Sequence, residues 1–156
     1  MGQTGRVFLH AGIWLALGLL IYVFFLRREA PPPRVLGPGS VELQRTRDGH
    51  FYIDGQIRAQ PIRFLIDTGA STVSVSEELA RRAGLECEQA ATFSTANGHV
   101  RGCATRVERL LFGPFEMRDV GVVILPRMGA EALLGMNALR RVRMEQAGDR
   151  LRLSAQ

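Results

Sequence analysis

Hydrophobic residues are distributed in two different ways along this chain. Residues 7–26 are apolar almost throughout, and His10 is their only side chain that can carry a charge near neutral pH. At about 1.5 Å per residue, a helix of this length spans roughly 30 Å, so the run predicts a transmembrane helix. A cleaved signal peptide is the alternative, but its apolar region is usually about 7–15 residues long and ends at small residues. Here Arg27, Arg28 and Glu29 follow instead.

The remainder of the chain consists of short alternating runs separated by turn signals. Residues 50–54 and 56–67 are predicted to be two strands joined by a turn at Asp54-Gly55, a strong hairpin signal. Residues 72–76 alternate with the period of a strand. The further predicted elements are a short helix over 77–83 with Ser76 as N-cap and Gly84 as its stop, strands over 91–95 and 100–113 turning at Asn97-Gly98, a strand over 115–125, a short helix within 132–142, and a final hairpin turning at Gly148-Asp149.

These elements predict a mainly β fold, a small barrel or sandwich with one or two short helices, preceded by the transmembrane helix. Residues 30–40 contain four prolines and two glycines, which is typical of an extended, semi-rigid spacer. The predicted organisation is therefore a short tail over 1–6, a transmembrane helix over 7–26, a linker over 27–40 and a folded domain over 41–156.

The charge is unevenly distributed along the chain. The formal net charge is +5, and residues 1–36 hold four arginines and one glutamate, a net of +3, which leaves +2 for the rest. No clustered basic stripe with interleaved aromatic residues is present, so nucleic-acid binding is not expected. Arg6 precedes the apolar run, whereas Arg27, Arg28 and Arg34 follow it, and the positive-inside rule read alone favours a cytoplasmic domain.

One segment indicates chemistry. Phe64, Leu65 and Ile66 lead directly into Asp67, which is followed by the small residues Thr68, Gly69, Ala70 and Ser71. Such a sequence places a carboxylate at the end of a strand, among backbone amides and hydroxyl groups. The chain has five aspartates, at 48, 54, 67, 119 and 149, and only Asp67 begins an Asp-Thr-Gly turn.

The run from Phe64 to Ser71 resembles the signature of the retropepsin-like aspartic proteases. The resemblance extends to Leu133, Leu134 and Gly135, which match the apolar-apolar-Gly segment that packs as a floor beneath the catalytic loop in that family. It also identifies Ala96, Asn97, Gly98 and His99 as the tip of the hairpin flap that closes over substrate. The three elements occur in the family's order, and the whole is similar to bacterial members that have one N-terminal helix and a domain outside the inner membrane.

What the resemblance implies is a peptidase that needs no cofactor and no metal. Two carboxylates share one proton: the ionised one takes a proton from the attacking water, and the protonated one polarises the peptide carbonyl. Because this chain has one Asp-Thr-Gly, the second carboxylate is expected from a second copy in a two-fold homodimer. The resemblance also implies that Thr68 bonds across the axis and that Gly69 allows close backbone approach.

We therefore expect a membrane-anchored aspartic endopeptidase that cleaves extended, membrane-proximal peptides. The alternative is an inactive module with the same fold that binds peptides or only dimerises. For location we follow the resemblance over the charge count and expect the periplasmic face of a bacterial inner membrane. The three histidines and two cysteines lack the close spacing of zinc ligands.

Cys87 and Cys103 leave two possibilities open. Outside the cytoplasm they could form a disulfide. A hairpin that turns at Asn97-Gly98, however, would place Cys103 opposite about residue 92 rather than Cys87. An unpaired, buried thiol is the other outcome.

Overall fold

A computed structural model describes residues 3–26, 32–95, 98–126, 128 and 132–156. The chain divides into two compact units, Met1–Pro31 and Pro32–Gln156. The first unit contains helix α1, Gln3–Leu26, which begins within the predicted tail. Among the helical residues that the structure describes, no stretch has both the length and the apolar character needed to cross a bilayer. The prediction of a transmembrane helix is therefore not confirmed.

The second unit is mainly β, as the alternating pattern predicted. Its strands and helices, in chain order, are β1 (Arg34–Gly37), β2 (Ser40–Gln44), β3 (Tyr52–Ile57), β4 (Gln60–Ile66), β5 (Val73–Ser76), α2 (Glu77–Arg82), β6 (Gln89–Thr95), β7 (Gly98–Phe112), β8 (Phe115–Leu125), β9 (Ala132–Leu134), α3 (Met136–Leu139), β10 (Val142–Ala147) and β11 (Arg150–Ala155).

Six of these strands close into a small barrel. The larger sheet has the order β3-β4-β9-β5-β8-β7-β6, and an additional pairing of β3 with β7 completes a ring. Closure removes the open sheet edges that would otherwise be left at β3 and β7. The second sheet, β1-β2-β11-β10, is antiparallel throughout.

One hydrophobic core joins the barrel, the second sheet and the short helices. Inward-facing side chains alternate with exposed ones along the strands, as in β11, where Leu151 and Leu153 are buried between exposed arginines. The largest fully buried side chains are Phe64, Phe112, Leu43, Ile53, Ile57, Leu79, Leu110, Leu134, Leu139 and Leu153. Phe64 and Leu134 lie on the two strands that deliver the candidate site, so the core holds that site from below.

The structure corrects the predicted linker. Residues 34–37 were expected in the extended spacer, but they form β1, which pairs with β2 through a turn at Pro38-Gly39. Gly39 has a positive φ of 73°, which glycine adopts without steric cost. The two glycines and Pro38 thus make a hairpin turn rather than a spacer. The linker residues 27–31 lie outside the described residues.

The predicted turn at Asp54-Gly55 was wrong. Both residues lie within β3, where Asp54 pairs with Arg63, and the actual turn comes later, at Arg58 with a positive φ of 53°. A Cβ on Gly55 would collide with the carbonyl oxygen of Leu111, because β7 crosses closely there. This glycine therefore permits the contact that closes the barrel.

Other local predictions are confirmed. Helix α2 begins after Ser76, whose hydroxyl accepts a hydrogen bond from the backbone N–H of Leu79 at 3.2 Å. It is followed by Gly84, at a positive φ of 62°. The final hairpin turns at Gly148-Asp149, since Ala147 pairs with Arg150.

The β6–β7 hairpin turns one residue earlier than predicted, and this shifts the partner of Cys103 two residues towards Cys87. Thr95 pairs with Gly98, so Cys103 lies opposite Ala90 rather than residue 92. Cys87 precedes β6 and forms a disulfide with Cys103, with the two Cα atoms 5.5 Å apart. The predicted register, with Cys103 opposite residue 92, was therefore wrong, and of the two possibilities left open for the cysteines the structure contains the disulfide. The bridge fastens the base of the hairpin to the segment that follows α2.

Loss of this disulfide should destabilise the domain without unfolding it. The bridge joins residues 16 positions apart, and closing a loop of about that length contributes roughly 3 kcal/mol. We expect Cys103→Ser to lower the free energy of unfolding by about that amount, measured by denaturant titration of the oxidised protein.

Cys87→Ser and the double variant should show the same loss as Cys103→Ser, because each removes the same bridge. Both cysteines line an open cleft of about 400 Å³, through which a small thiol reagent can reach the bridge. Dithiothreitol should lower the stability of the wild type and leave that of the double variant unchanged. Additive losses in the double variant would contradict a single shared bridge.

Candidate active site

The carboxylate of Asp67 is presented by a tight loop between two strands. Strand β4 ends at Ile66, and residues 67–72, here called the Asp67 loop, lead into β5. The backbone N–H of Gly69 donates to Oδ1 of Asp67 at 2.8 Å, and the N–H of Ala70 donates to the Asp67 carbonyl at 3.3 Å. These two bonds fold the loop back on itself and fix the direction of the carboxylate.

Strand β9 passes between the two strands that flank the Asp67 loop. It runs parallel to β4, with Leu65 opposite Leu133 and Ile66 opposite Leu134, and antiparallel to β5, with Ser74 opposite Leu133. The N–H of Asp67 donates to the Leu134 carbonyl at 3.2 Å. One strand, which contains the predicted floor residues Leu133 and Leu134, therefore pairs with the strands at both ends of the loop.

Gly135 lies directly against the loop. A Cβ on this residue would be 2.5 Å from the backbone carbonyl of Thr72, a separation that no side chain can occupy. The close approach lets the N–H of Met136 donate to the Ala70 carbonyl at 2.8 Å and the N–H of Asn137 donate to the Ser71 carbonyl at 3.0 Å. The start of α3 thereby satisfies the carbonyl groups on the second half of the loop.

The upper side of the loop faces solvent. Asp67 is half-buried, while Thr68, Gly69 and Ser71 are exposed. Within the described part of the chain, Oδ2 of Asp67 has no hydrogen-bond partner. A carboxylate with one oxygen fixed and one oxygen open can bind and deprotonate a water molecule.

No other aspartate of the chain is available to complete a carboxylate pair. The hydroxyls of Thr46 and Tyr52 hydrogen-bond to Asp48 and hold its pKa well below the usual range. The Arg106 guanidinium binds Asp119 through two bonds of 2.6 Å and lowers the pKa of that carboxyl. The last two, Asp54 on β3 and Asp149 beside Arg45, also lie outside the Asp67 loop.

The structure describes two of the four residues of the predicted flap tip. Ala96 and Asn97 lie outside the described residues. Gly98 and His99 begin β7, where Nδ1 of His99 lies 3.2 Å from the Ser94 hydroxyl across the hairpin. The first pair between β7 and β8 is Cys103 with Ile124, so residues 98–102 pair with β6 alone. The end of this hairpin therefore extends beyond the barrel.

Sequence reasoning did not recognise the role of the Asn137 side chain. Its carboxamide bonds to Val73, which follows the Asp67 loop, and to Gly121 on β8. The available signal was a single amide within the apolar stretch from Ala132 to Leu139. Buried amides are placed where they satisfy backbone groups.

Among the described residues, no group of three His, Cys, Asp or Glu side chains is placed to hold a metal ion.

The chain is similar in sequence to proteins of one family and to uncharacterised bacterial proteins. A family model described as gag-polyprotein putative aspartyl protease matches residues 53–141. The uncharacterized protein in the cobV 5′ region of Sinorhizobium sp is 31% identical over 122 residues, which are 75% of this chain and 52% of that protein. The uncharacterized protein RP867 of Rickettsia prowazekii (strain Madrid E) is 31% identical over 106 residues, 66% of this chain and 46% of that protein. The chain thus spans about half the length of these curated relatives.

A solved structure shares the fold. The crystal structure of a retropepsin-like aspartic protease from Rickettsia conorii superposes with a TM-score of 0.67 at 30% sequence identity, covering 75% of this chain and 91% of that one.

Adding a methyl group at Gly135 should disrupt the site. Because the new Cβ would meet the Thr72 backbone at 2.5 Å, we expect Gly135→Ala to lower the free energy of unfolding by about 3 kcal/mol, the upper end of the usual cost of overpacking. Denaturant titration measures the loss.

Gly121→Ala is the matched control, because its Cβ would meet no atom closer than the Asn137 amide nitrogen at 4.0 Å. This variant should change stability by less than about 1 kcal/mol. Equal effects of the two substitutions would show that the close approach at Gly135 is unimportant.

Proposed function

Because the chain belongs to the retropepsin-like aspartic protease family, we propose that it is an aspartic endopeptidase that works as a homodimer. The observation that carries the proposal is the half-buried Asp67, whose loop is fixed from below by β9 and α3 and open above. A rigid carboxylate facing solvent is what water activation requires.

The proposed chemistry uses the carboxylates of two Asp67 residues. One is ionised and takes a proton from the water that attacks the peptide carbonyl, while the other is protonated and donates a hydrogen bond to the carbonyl oxygen. Like charges about 3 Å apart cannot both ionise, so the pair shares one proton. The proton taken from the water then passes to the leaving amine as the peptide bond breaks.

The homodimer is supported by the presence of only one Asp-Thr-Gly sequence in the chain, at Asp67. A two-fold axis beside the Asp67 loop brings the same residue from each copy to one point. Thr68 and Gly69 are exposed on the open side of the loop, where Thr68 can bond to the partner loop and Gly69 leaves room for its backbone. In the dimer these exposed residues become buried.

The substrate is proposed to be an extended peptide bound between the Asp67 loop and the β6–β7 hairpin. An extended peptide satisfies its backbone groups by pairing with strand-like segments. The part of the hairpin that projects past the barrel, including Gly98 and His99, provides such a segment.

We also propose that the protein is anchored in a bacterial inner membrane with the folded domain in the periplasm. Along α1 the side chains of residues 13–15 and 19–22 are exposed, and the run from 7 to 26 is apolar almost throughout. The Cys87–Cys103 disulfide supports the location of the domain, because disulfides persist in oxidising compartments. An anchor in one membrane also concentrates both copies and favours pairing.

Replacement of the proposed catalytic carboxylate should abolish cleavage. We expect Asp67→Asn to reduce kcat/KM on an unstructured protein substrate by about 10²–10⁴-fold, since the amide can neither accept the proton of water nor share one with its partner. The full-length protein in mild detergent is assayed from pH 3 to 8 at several protein concentrations.

Asp54→Asn makes the same chemical change at an exposed position on β3 and should retain full activity. At low concentration the wild-type rate should rise faster than linearly with protein, because two copies form one site. Mixing equal amounts of wild type and Asp67→Asn should leave roughly half of the wild-type activity, as random pairing puts half of the wild-type copies in mixed dimers. A wild type that dimerises but cleaves nothing would favour the inactive peptide-binding or dimerisation module.

The orientation is tested by a reporter fused after Gln156. Alkaline phosphatase folds only where its disulfides form, so the fusion should be active in the periplasm and inactive in the cytoplasm. The protein should also sediment with membranes and resist extraction by high salt. The proposed topology would be overturned if the phosphatase fusion were inactive while a fluorescent protein fused at the same position were active in the cytoplasm.

A further inference from the structure

The carboxamide of Asn137 joins three segments of the site. Its Oδ1 accepts a hydrogen bond from the N–H of Val73 at 2.9 Å, and its Nδ2 donates to the carbonyl of Gly121 at 2.8 Å. Its own backbone N–H donates to the Ser71 carbonyl at 3.0 Å. One residue thus binds the end of the Asp67 loop on two sides and ties it to β8.

Only one orientation of this carboxamide satisfies both neighbours. The Val73 N–H can only donate and the Gly121 carbonyl can only accept, so the oxygen must face Val73 and the nitrogen must face Gly121. The two groups lie at the start of the parallel pairing between β5 and β8, whose first pair is Val73 with Val122. The side chain therefore takes the place of a peptide group and extends the ladder by one step at the start of β5.

The site needs this extension because the Asp67 loop ends where the pairing between β5 and β8 begins. Apart from the two bonds within the loop, the backbone bonds that the structure describes for residues 67–71 go to β9 and α3. The Asn137 side chain adds a link from the loop's last turn to β8, a long strand of the closed barrel. Without it, Val73 and Gly121 would each lose a hydrogen-bond partner, and the end of the loop could move relative to the barrel.

We propose that Asn137 is a positioning residue, which acts through the Asp67 loop to hold the Asp67 carboxylate in register with that of the partner copy. This inference rests on the proposed protease function, and it assigns Asn137 no contact with substrate. Carboxylates in a shared pair must be placed accurately, and a displacement of about 1 Å can cost about 10²-fold in rate.

Two substitutions distinguish the hydrogen bond of the amide to Val73 from its hydrogen bond to Gly121. Asn137→Leu has a similar shape and removes both bonds. Asn137→Asp keeps the acceptor for Val73, but as a carboxylate it faces the Gly121 carbonyl with a second acceptor; when protonated, it can donate to that carbonyl and restore both bonds. The defect of Asn137→Asp should therefore depend on pH, and that of Asn137→Leu should not.

The experiment measures kcat and KM for full-length wild type, Asn137→Leu and Asn137→Asp in mild detergent from pH 3 to 7. At neutral pH both variants should show kcat lowered by about 10²-fold with KM nearly unchanged. As pH falls through about 4, the ordinary range of an aspartate carboxyl, activity relative to wild type should recover in Asn137→Asp only. Arg140→Gln, an exposed change at the end of α3, is the control and should match wild type.

Hydrogen exchange provides a readout that does not depend on activity. Both variants at neutral pH should exchange faster at the amides of residues 67–73, with the rest of the barrel and the dimer mass unchanged. Variants that lose stability throughout, or that keep wild-type kcat, would overturn the positioning role. If wild type itself cleaves nothing, the protease proposal fails, and unchanged exchange in the loop would then separately reject the role of Asn137.

Discussion

The close approach of Gly135 to the Thr72 backbone is the constraint on which the rest of the site depends. It allows β9 to lie between β4 and β5 and α3 to begin immediately beneath the Asp67 loop. From that position, backbone groups of Leu134 and the first turn of α3 bond to both halves of the loop. A larger residue would separate these segments, and the loop would lose the partners that fix its carboxylate.

The barrel depends on a second approach of the same kind. Gly55 lets β7 pass close to β3, and this pairing closes the ring of six strands. Strand β8 belongs to that ring, so the Asn137 bond to Gly121 connects the site to a closed structure rather than to a free edge. The β6–β7 hairpin projects from the same ring, and the Cys87–Cys103 disulfide fastens its base. Site and hairpin therefore share one rigid support.

The proposed function depends on a second carboxylate that one chain does not place beside Asp67. The fold presents a single carboxylate on a solvent-facing loop, while the other four aspartates lie elsewhere in the fold. In the proposed mechanism the second carboxylate of the pair comes from another copy of the chain, related to the first by a two-fold axis. The exposed Thr68 and Gly69 are consistent with a surface that a partner covers.

The sequence by itself determined the mainly β class, the limits of α2, the last hairpin and the motif at Asp67, because strand alternation, capping and tight turns are local properties. Tertiary structure alone decided the role of Gly55, the disulfide between Cys87 and Cys103, and the partners of Asn137. The Asp54-Gly55 pair predicts a turn from local sequence, but in the fold Gly55 lies in a strand because β7 packs directly against it. An amide's bonds, a disulfide and a close strand crossing all join residues distant in sequence, and local patterns carry no information about which distant segment will lie alongside.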